Sequence, residues 1–111
     1  MPSAGEMYDE AIALQEAGKL EEAVGKLEEL ISEHPDFALA YAGLSVFCSK
    51  LDQHDKAVEH AQKVCELEPD DPFSYMAKSM ICQKAGRLEE AEQAMSQAME
   101  KQWAAAKEAQ E

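Results

Sequence analysis

Two nearly identical heptapeptides are the feature that most constrains how this chain can fold. Residues 17–23 read AGKLEEA and residues 85–91 read AGRLEEA, so they lie 68 positions apart. Midway between them, residues 51–57 read LDQHDKA and end on an alanine in the same register. The sequence therefore repeats every 34 residues. A fixed period of roughly 20–50 residues is typical of proteins built from stacked repeat units.

The period divides the 111 residues into three units. They span residues 4–37, 38–71 and 72–105, and a helical tail follows at 106–111. A chain of this length can bury about two-thirds of its unfolded surface, and its apolar fraction of 46% is sufficient for a core. We therefore expect one domain, 1–111.

The apolar residues indicate helices throughout, because they recur at intervals of three and four between glycine and proline positions. The pattern predicts six helices in three antiparallel pairs and no strand. The first helix ends before Gly18 and the second runs from Leu20 to Pro35. The remaining helices are expected at about 37–50, 54–67, 72–84 and 88–108.

Three helix starts carry capping signals. Ser3 and Glu6 have the spacing of a capping box. Asp36 is placed to cap the third helix. Asp71 followed by Pro72 predicts the beginning of the fifth helix.

The repeated unit resembles the tetratricopeptide repeat, a helix–turn–helix family with a 34-residue unit, over residues 4–105. The resemblance rests on large first-helix residues, small residues in both helices, turn residues and closing prolines. These are Met7, Tyr41 and Tyr75; Ala11, Ser45 and Ser79; Ala23, Ala57 and Ala91; Gly18, Asp52 and Gly86; and Pro35 and Pro69. The resemblance implies an all-α fold, three antiparallel helix pairs stacked as a right-handed solenoid.

The chain departs from the family pattern at three positions. Glu10 and Lys78 stand where a leucine is usual, and Trp103 replaces the third closing proline. Without that proline we expect an extended C-terminal helix, reaching about residue 108, and no separate capping helix.

The charge excludes one class of partner. Ten basic and twenty-three acidic residues give a net charge of −13, the wrong sign for binding nucleic acid through its phosphates. The first unit holds ten acidic and two basic residues, whereas the third holds four of each. One end of the stack is therefore expected to be acidic and the other neutral.

The sequence favours a cytoplasmic location. Its most apolar run, residues 37–48, is shorter than the roughly 20 residues of a membrane-spanning helix, so no membrane insertion is expected. The N-terminus lacks the basic and apolar segments of a secretory signal. Three cysteines, an odd number, suit a reducing compartment better than a disulfide framework.

No pattern of catalytic or metal-binding residues is found. His34, His54 and His60 belong to no nucleophile, metal or phosphate motif and are interpreted as solvent-facing. We expect no enzyme, no catalytic residue and no cofactor.

The three cysteines are spaced evenly. Cys48, Cys65 and Cys82 are separated by 17 residues each time, at positions where other units carry Leu14 or Ile31. Buried packing is therefore favoured over metal binding, because zinc sites usually contain closely spaced cysteine pairs. A thiol or metal-binding protein is kept as a weak alternative.

The resemblance implies a concave groove lined by the first helix of each pair. Apolar residues would form the groove and lysines its rim; the expected site is Tyr8, Ile12, Leu39, Val46, Lys50, Phe73, Met76, Met80 and Lys84. Such a surface suits a peptide or helix of a partner protein with hydrophobic anchors, so a protein–protein interaction scaffold or adaptor is the expected function. Alternatively, the terminal helices or the tail of the chain itself fill part of the groove.

One subtype of the family is not expected. Its chaperone adaptors hold an acidic C-terminal peptide with a clamp of Lys, Asn and Arg. The corresponding positions here carry residues without charged donors, namely Tyr8, Ile12, Gly43, Phe73 and Ala77.

The last helix suggests a second contact. Met99 and Trp103 are expected to join two chains as a symmetric homodimer, since a large indole without cover indicates a contact. The alternative is that Trp103 folds back on its own third helix pair. A self-assembling scaffold whose repeat ends stack on one another is therefore the rival to partner binding.

Overall fold

The structure is a computed structural model that describes residues 2–110, and these form six α-helices and no strand. Consecutive helices pack in pairs, and the pairs stack through α2 with α3 and through α4 with α5. The fold is the expected all-α helical repeat solenoid. Its helices are α1 (Ala4–Glu16), α2 (Leu20–Glu33), α3 (Ala38–Lys50), α4 (His54–Leu67), α5 (Pro72–Lys84) and α6 (Leu88–Gln110).

Two of the three predicted caps are confirmed. The Ser3 hydroxyl accepts a hydrogen bond from the Glu6 amide at 3.1 Å, and the Glu6 carboxylate accepts one from the Ser3 amide at 3.2 Å. The Asp71 carboxylate accepts a hydrogen bond from the amide of Phe73 at 3.0 Å. Pro72 is the first residue of α5, where its missing N–H costs nothing.

The predicted cap at Asp36 is wrong. The residue that precedes α3 is Phe37, and no side chain caps the helix there. Asp36 lies one residue too early for its carboxylate to reach the amides of the first turn, which are the groups that a cap must satisfy.

The turns within the three pairs share one backbone geometry. Gly18, Asp52 and Gly86 all have positive φ, at 80°, 61° and 77°. In each turn the amide of the following residue donates to a carbonyl five positions earlier, at 2.8–2.9 Å. This bond satisfies a carbonyl that the helix end leaves free. Asp52 therefore adopts in the second unit the same positive-φ backbone conformation that a glycine adopts in the first and third units.

Small residues bring the two helices of a pair together. Ala11, Ser45 and Ser79 on the first helices are buried, as are Ala23, Ala57 and Ala91 on the second helices. In the third pair the Ser79 hydroxyl donates to the Ala91 carbonyl at 2.8 Å. A side chain reaches the opposite backbone directly, so these positions have no room for a larger residue.

Tyrosine hydroxyls tie the stacked units to each other. The Tyr41 hydroxyl donates to the Pro35 carbonyl at 2.7 Å, and the Tyr75 hydroxyl donates to the Pro69 carbonyl at 2.8 Å. In both cases the ring is buried while its polar end satisfies a loop carbonyl. The same bond therefore sets the position of the second and third units relative to the preceding loop.

The three cysteines lie in the core, as their positions in the repeat predict. Cys48 and Cys82 belong to the main apolar cluster, and Cys65 packs with Tyr75 and Ala98 in a second cluster. Burial raises the pKa of all three thiols, which disfavours the reactive thiolate.

The last helix is slightly longer than predicted. α6 continues to Gln110, two residues beyond the expected end at 108. Ala91, Ala94 and Ala98 are its buried residues, and from Gln102 onward every described residue is exposed. The final turns therefore project beyond the third unit.

We expect Asp52→Gly to raise the free energy of unfolding by about 0.5–1 kcal/mol, because glycine reaches positive φ without the strain of a side chain. Urea denaturation followed by circular dichroism measures the change. Asp52→Ala is the control, since it removes the carboxylate but keeps the strained backbone. Equal stability of the two variants would show that the backbone conformation is not the cause.

Cys48 and Cys82 are expected to react with Ellman's reagent roughly 100-fold or more slowly in the native protein than in denaturant, because a buried thiol is reached only through local opening. Replacement of either residue by alanine should cost about 1 kcal/mol of stability. Absorbance of the released thiolate gives the rates. Rapid labelling of the native protein, or stoichiometric zinc in the purified chain, would favour the thiol or metal alternative instead.

Candidate functional site

The residues assigned to the groove from sequence differ in exposure. Val46 on α3 is 42% exposed and Met80 on α5 is 58% exposed. Leu39 and Phe73, at the starts of the same helices, are also exposed. α3 and α5 therefore both present apolar side chains to solvent.

The groove residues of the first unit are less available. Tyr8 and Ile12 are half-buried and pack against the main apolar cluster. The ring centroid of Tyr8 lies 6.1 Å from that of Phe37, in a tilted arrangement. Met76 on α5 is half-buried beside the second cluster. Among the apolar groove residues, the exposed side chains are therefore those of α3 and α5.

A cavity of about 280 Å³ opens between α3, α4 and α5. Three of the residues that the sequence places in the groove line it, namely Val46, Met80 and Lys84. We call this cavity the junction pocket, since it lies where the second unit meets the third. Its lining residues are Ala42, Ser45, Val46, Ala61, Val64, Ser74, Ala77, Met80, Ile81 and Lys84.

The junction pocket arises from differences between the units. Leu27 and Leu30 of α2, both fully buried at the first junction, correspond to Ala61 and Val64 of α4 after one period of 34 residues. Both replacements remove side-chain volume from the same place. Tyr8 and Ile12 likewise correspond to the smaller Ala42 and Val46. The second junction is therefore left partly unfilled.

The first junction shows how tightly the equivalent space can pack. Gly43 of α3 faces Leu27, and a Cβ added at Gly43 would lie 2.9 Å from the Leu27 Cδ1 atom. Such an approach is closer than real contacts allow, so a side chain at position 43 would require Leu27 to change its conformation. At the second junction the corresponding residues are Ala77 and Ala61, both of which line the pocket.

The part of the junction pocket formed by α4 was not predicted from the sequence. The expected groove was restricted to the first helix of each pair, whereas Ala61 and Val64 lie on α4, a second helix. Ser74 and Ile81 of α5 were also omitted. The signal was present in the sequence, because a comparison of side-chain size between the units at fixed register locates Ala61 and Val64.

The pocket is apolar with one cation at its edge. The Ser45 hydroxyl donates to the Ala42 carbonyl at 2.7 Å, so this polar group of the wall already has a partner. Lys84 lines the pocket, and Lys50 occupies the equivalent place at the end of α3. Neither lysine forms an ion pair with a residue in the range 2–110, and both side chains are exposed.

Other cations of the chain are engaged within the fold. The Lys26 amine lies 2.9 Å from the Glu10 carboxylate, and Arg87 pairs with Asp55. The first of these contacts joins the two helices of a pair, and the second joins α4 to the turn before α6. These partly exposed pairs each contribute little stability, and neither involves Lys50 or Lys84.

The interpretation of the three histidines as solvent-facing is wrong, because His34, His54 and His60 are all half-buried. His60 is half-buried, with its ring centroid 6.0 Å from that of Tyr41. Burial lowers the pKa of His60. His54 is also half-buried, 3.6 Å from the Asp52 carboxylate. Periodicity alone did not reveal these contacts, because they depend on neighbouring helices and turns.

A second apolar surface lies on α6. Leu88, Met95, Met99 and Trp103 are all exposed, and their spacing of seven, four and four residues places them on one side of the helix. Met99 is 63% exposed and Trp103 is 76% exposed. The alternative in which Trp103 folds back on the third helix pair is therefore not observed. We call these four residues the α6 stripe.

Among residues 2–110, no group of three or more His, Cys, Asp and Glu side chains is arranged to hold a metal ion. None of the helices in that range has the length and apolar character needed to cross a membrane.

Solved structures of similar shape are helical repeat proteins. A crystal structure of MamA superposes with a TM-score of 0.85 at 26% sequence identity, over 95% of this chain and 61% of that one. The second TPR of Spaghetti (RPAP3) bound to HSP90 peptide SRMEEVD gives 0.77 at 19% identity, over 86% and 89%. The type III secretion translocator chaperone SycD of Yersinia enterocolitica gives 0.78 at 20% identity, over 88% and 74%. This chain thus spans less than two-thirds of the MamA chain that it matches.

Sequence comparisons agree with the fold. Comparison with curated proteins gives no match. A family profile described as tetratricopeptide repeat matches residues 8–72, and a second profile of the same description matches residues 74–100. The first match alone covers more than half of the chain. With its repeated turns, buried small residues and stacked helix pairs, the chain belongs to the tetratricopeptide repeat family.

Proposed function

We propose that the protein is an interaction scaffold or adaptor that binds a peptide or helix of a partner protein in its concave groove. The observation that carries the proposal is the junction pocket, an open apolar cavity bordered by the exposed Val46 and Met80. Binding sites are typically concave and apolar with a few polar groups. Concave helical surfaces take partner segments through hydrophobic anchors.

The fold relatives support this class of function. One is described as bound to an HSP90 peptide, another as a translocator chaperone, and a third as a CopN–Scc3 complex, at 16% identity and a TM-score of 0.81. At these identities the likeness itself concerns the fold. We therefore draw the partner-binding role from the pocket and use the relatives as support for it.

The proposed contact residues are those of the groove. Leu39, Val46, Phe73, Met76 and Met80 would supply apolar contacts, with Tyr8 and Ile12 at the far end. Lys50 and Lys84, unpaired among residues 2–110, would meet a carboxylate of the partner at the rim. The negative charge of −13 disfavours nucleic acid as the partner.

The proposal includes no catalytic role and no cofactor, and it places the protein in the cytoplasm. Three free cysteines, all buried, are consistent with a reducing compartment. We propose that residues 1–111 form one domain, which would bind its partner through its surface.

Val46→Asp combined with Met80→Asp is expected to weaken partner binding at least about 30-fold, the effect of losing a contact of 2 kcal/mol or more. The fold should persist, because both side chains face solvent. Peptides selected from a displayed random library on the wild-type protein provide the probes. Their affinities for each variant follow from fluorescence polarisation, and circular dichroism reports helicity.

The matched control is Met95→Asp combined with Met99→Asp, which makes the same chemical change on the α6 stripe. It should leave peptide affinity unchanged. If the selected peptides bind the groove variant as well as the wild type, the groove is not the binding surface.

A second proposal is self-association through α6. It is favoured by the exposure of Met99 and Trp103, 63% and 76%. The third unit holds four acidic and four basic residues, so two such ends can meet without the repulsion that two copies of the acidic first unit would experience. We propose a symmetric homodimer in which each copy contributes the same stripe.

Light scattering across a dilution series should show a mass that changes from dimer to monomer, with Trp103→Ala weakening the dimer at least about 10-fold. Phe73→Ala, an equally exposed aromatic residue outside α6, is the control and should leave the equilibrium unchanged. A monomeric mass for the wild type at every concentration would exclude this homodimer.

A further inference from the structure

We propose that the junction pocket is an anchor site for one branched aliphatic side chain, of leucine size, carried by a segment of the partner protein. The inference rests on the proposed partner-binding function and names the chemistry that the groove selects. It follows from a comparison of the two junctions within this chain.

The first junction shows which side chain fits such a space. At the first junction the space equivalent to the pocket is filled by a side chain of the protein itself, Leu27, which is fully buried and faces Gly43. One period later the leucine is replaced by Ala61 and the facing glycine by Ala77, which adds one methyl group to the wall. The space vacated at the second junction is therefore that of a leucine side chain reduced by this methyl group, and the open cavity of about 280 Å³ extends beyond it.

The wall of the pocket favours an apolar occupant. Its residues are mainly alanine, valine, isoleucine and methionine. The hydroxyl of Ser45 is already hydrogen-bonded within α3, which leaves Ser74 as the other serine of the lining. A buried polar group of a ligand would find few partners there and would lose its hydration. Transfer of an aliphatic group from water into the pocket is favourable, because it removes apolar surface from water.

The size of the pocket limits the ligand to one large side chain. An enclosed apolar cavity of about 150 Å³ accommodates benzene, and the junction pocket measures about 280 Å³ with an open mouth. Such a space holds one side chain together with part of its backbone. The methionine at position 80 can adjust its shape to a branched occupant, since methionine is unbranched and flexible.

The charge at the edge makes the site selective. Lys84 lines the pocket, so a lysine or arginine anchor would bring two like charges together at the mouth. A leucine next to an acidic or neutral residue avoids this repulsion. The ligand class is thus an aliphatic anchor in a segment that is not basic.

The test fills the pocket with the residues of the first junction. Ala61→Leu combined with Ala77→Gly recreates the Leu27–Gly43 pair, and Val64→Leu alone recreates Leu30 as a second, milder variant. The control is Ala104→Leu combined with Ala105→Gly, the same substitutions on the exposed end of α6.

The probes are N-acetyl-L-leucine N-methylamide and its alanine counterpart, titrated against labelled protein in two-dimensional NMR spectra. We expect the leucine probe to shift the amide signals of Ser45, Val64 and Ser74 with a dissociation constant on the order of 1–10 mM. The alanine probe should bind at least about 10-fold more weakly. The Ala61→Leu, Ala77→Gly variant should lose the leucine-dependent shifts, Val64→Leu should weaken them, and the control should keep them.

Equal shifts by the two probes, or binding of the leucine probe that survives both fillings, would overturn the anchor site. The proposed function is tested separately with the library peptides. If those peptides bind the filled variants but not the Val46→Asp, Met80→Asp variant, the groove binds partners and the anchor site is wrong.

Discussion

The close approach of the two helices in each pair is the contact on which the rest of the structure depends. It requires a small residue on both sides, as at Ser79 and Ala91, where a hydroxyl donates to the opposite backbone at 2.8 Å. A longer side chain at such a position would move one helix away from the other. Because the pairs stack on one another, that displacement would pass to the next unit and change the curvature of the groove.

The two ends of the stack differ in polarity at the positions that are buried in the inner units. Ala40 and Leu44 of α3 are fully buried, and the equivalent residues of α1 are Glu6 and Glu10, both exposed. The first helix therefore presents a polar outer surface, which a terminal repeat unit needs. On α6 the opposite holds. Met95 is equivalent to the buried Leu27 and Ala61, yet it is exposed.

Most local features of the fold could be predicted from the sequence, although the cap expected at Asp36 was wrong. Features that arise between units were only partly accessible. The Ser3–Glu6 capping box depends on residues three apart, and the turn at Asp52 depends on one backbone angle. Both features depend only on residues that are close together in the sequence. The junction pocket depends on Ala61 replacing a leucine while α3 and α5 remain in place. A template that assigns the groove to the first helices cannot reveal it, because the decisive change lies on a second helix.

The position of Trp103 has a consequence for spectroscopy. It is the one tryptophan in the chain, and its indole is 76% exposed on the projecting end of α6. Its emission in the isolated folded chain should already resemble that of the unfolded chain, so intrinsic tryptophan fluorescence would report poorly on melting of the core. The same indole would respond strongly, with a shift to shorter wavelength, to any molecule that covers the end of α6. Trp103 would therefore report on contacts at the end of α6 rather than on folding.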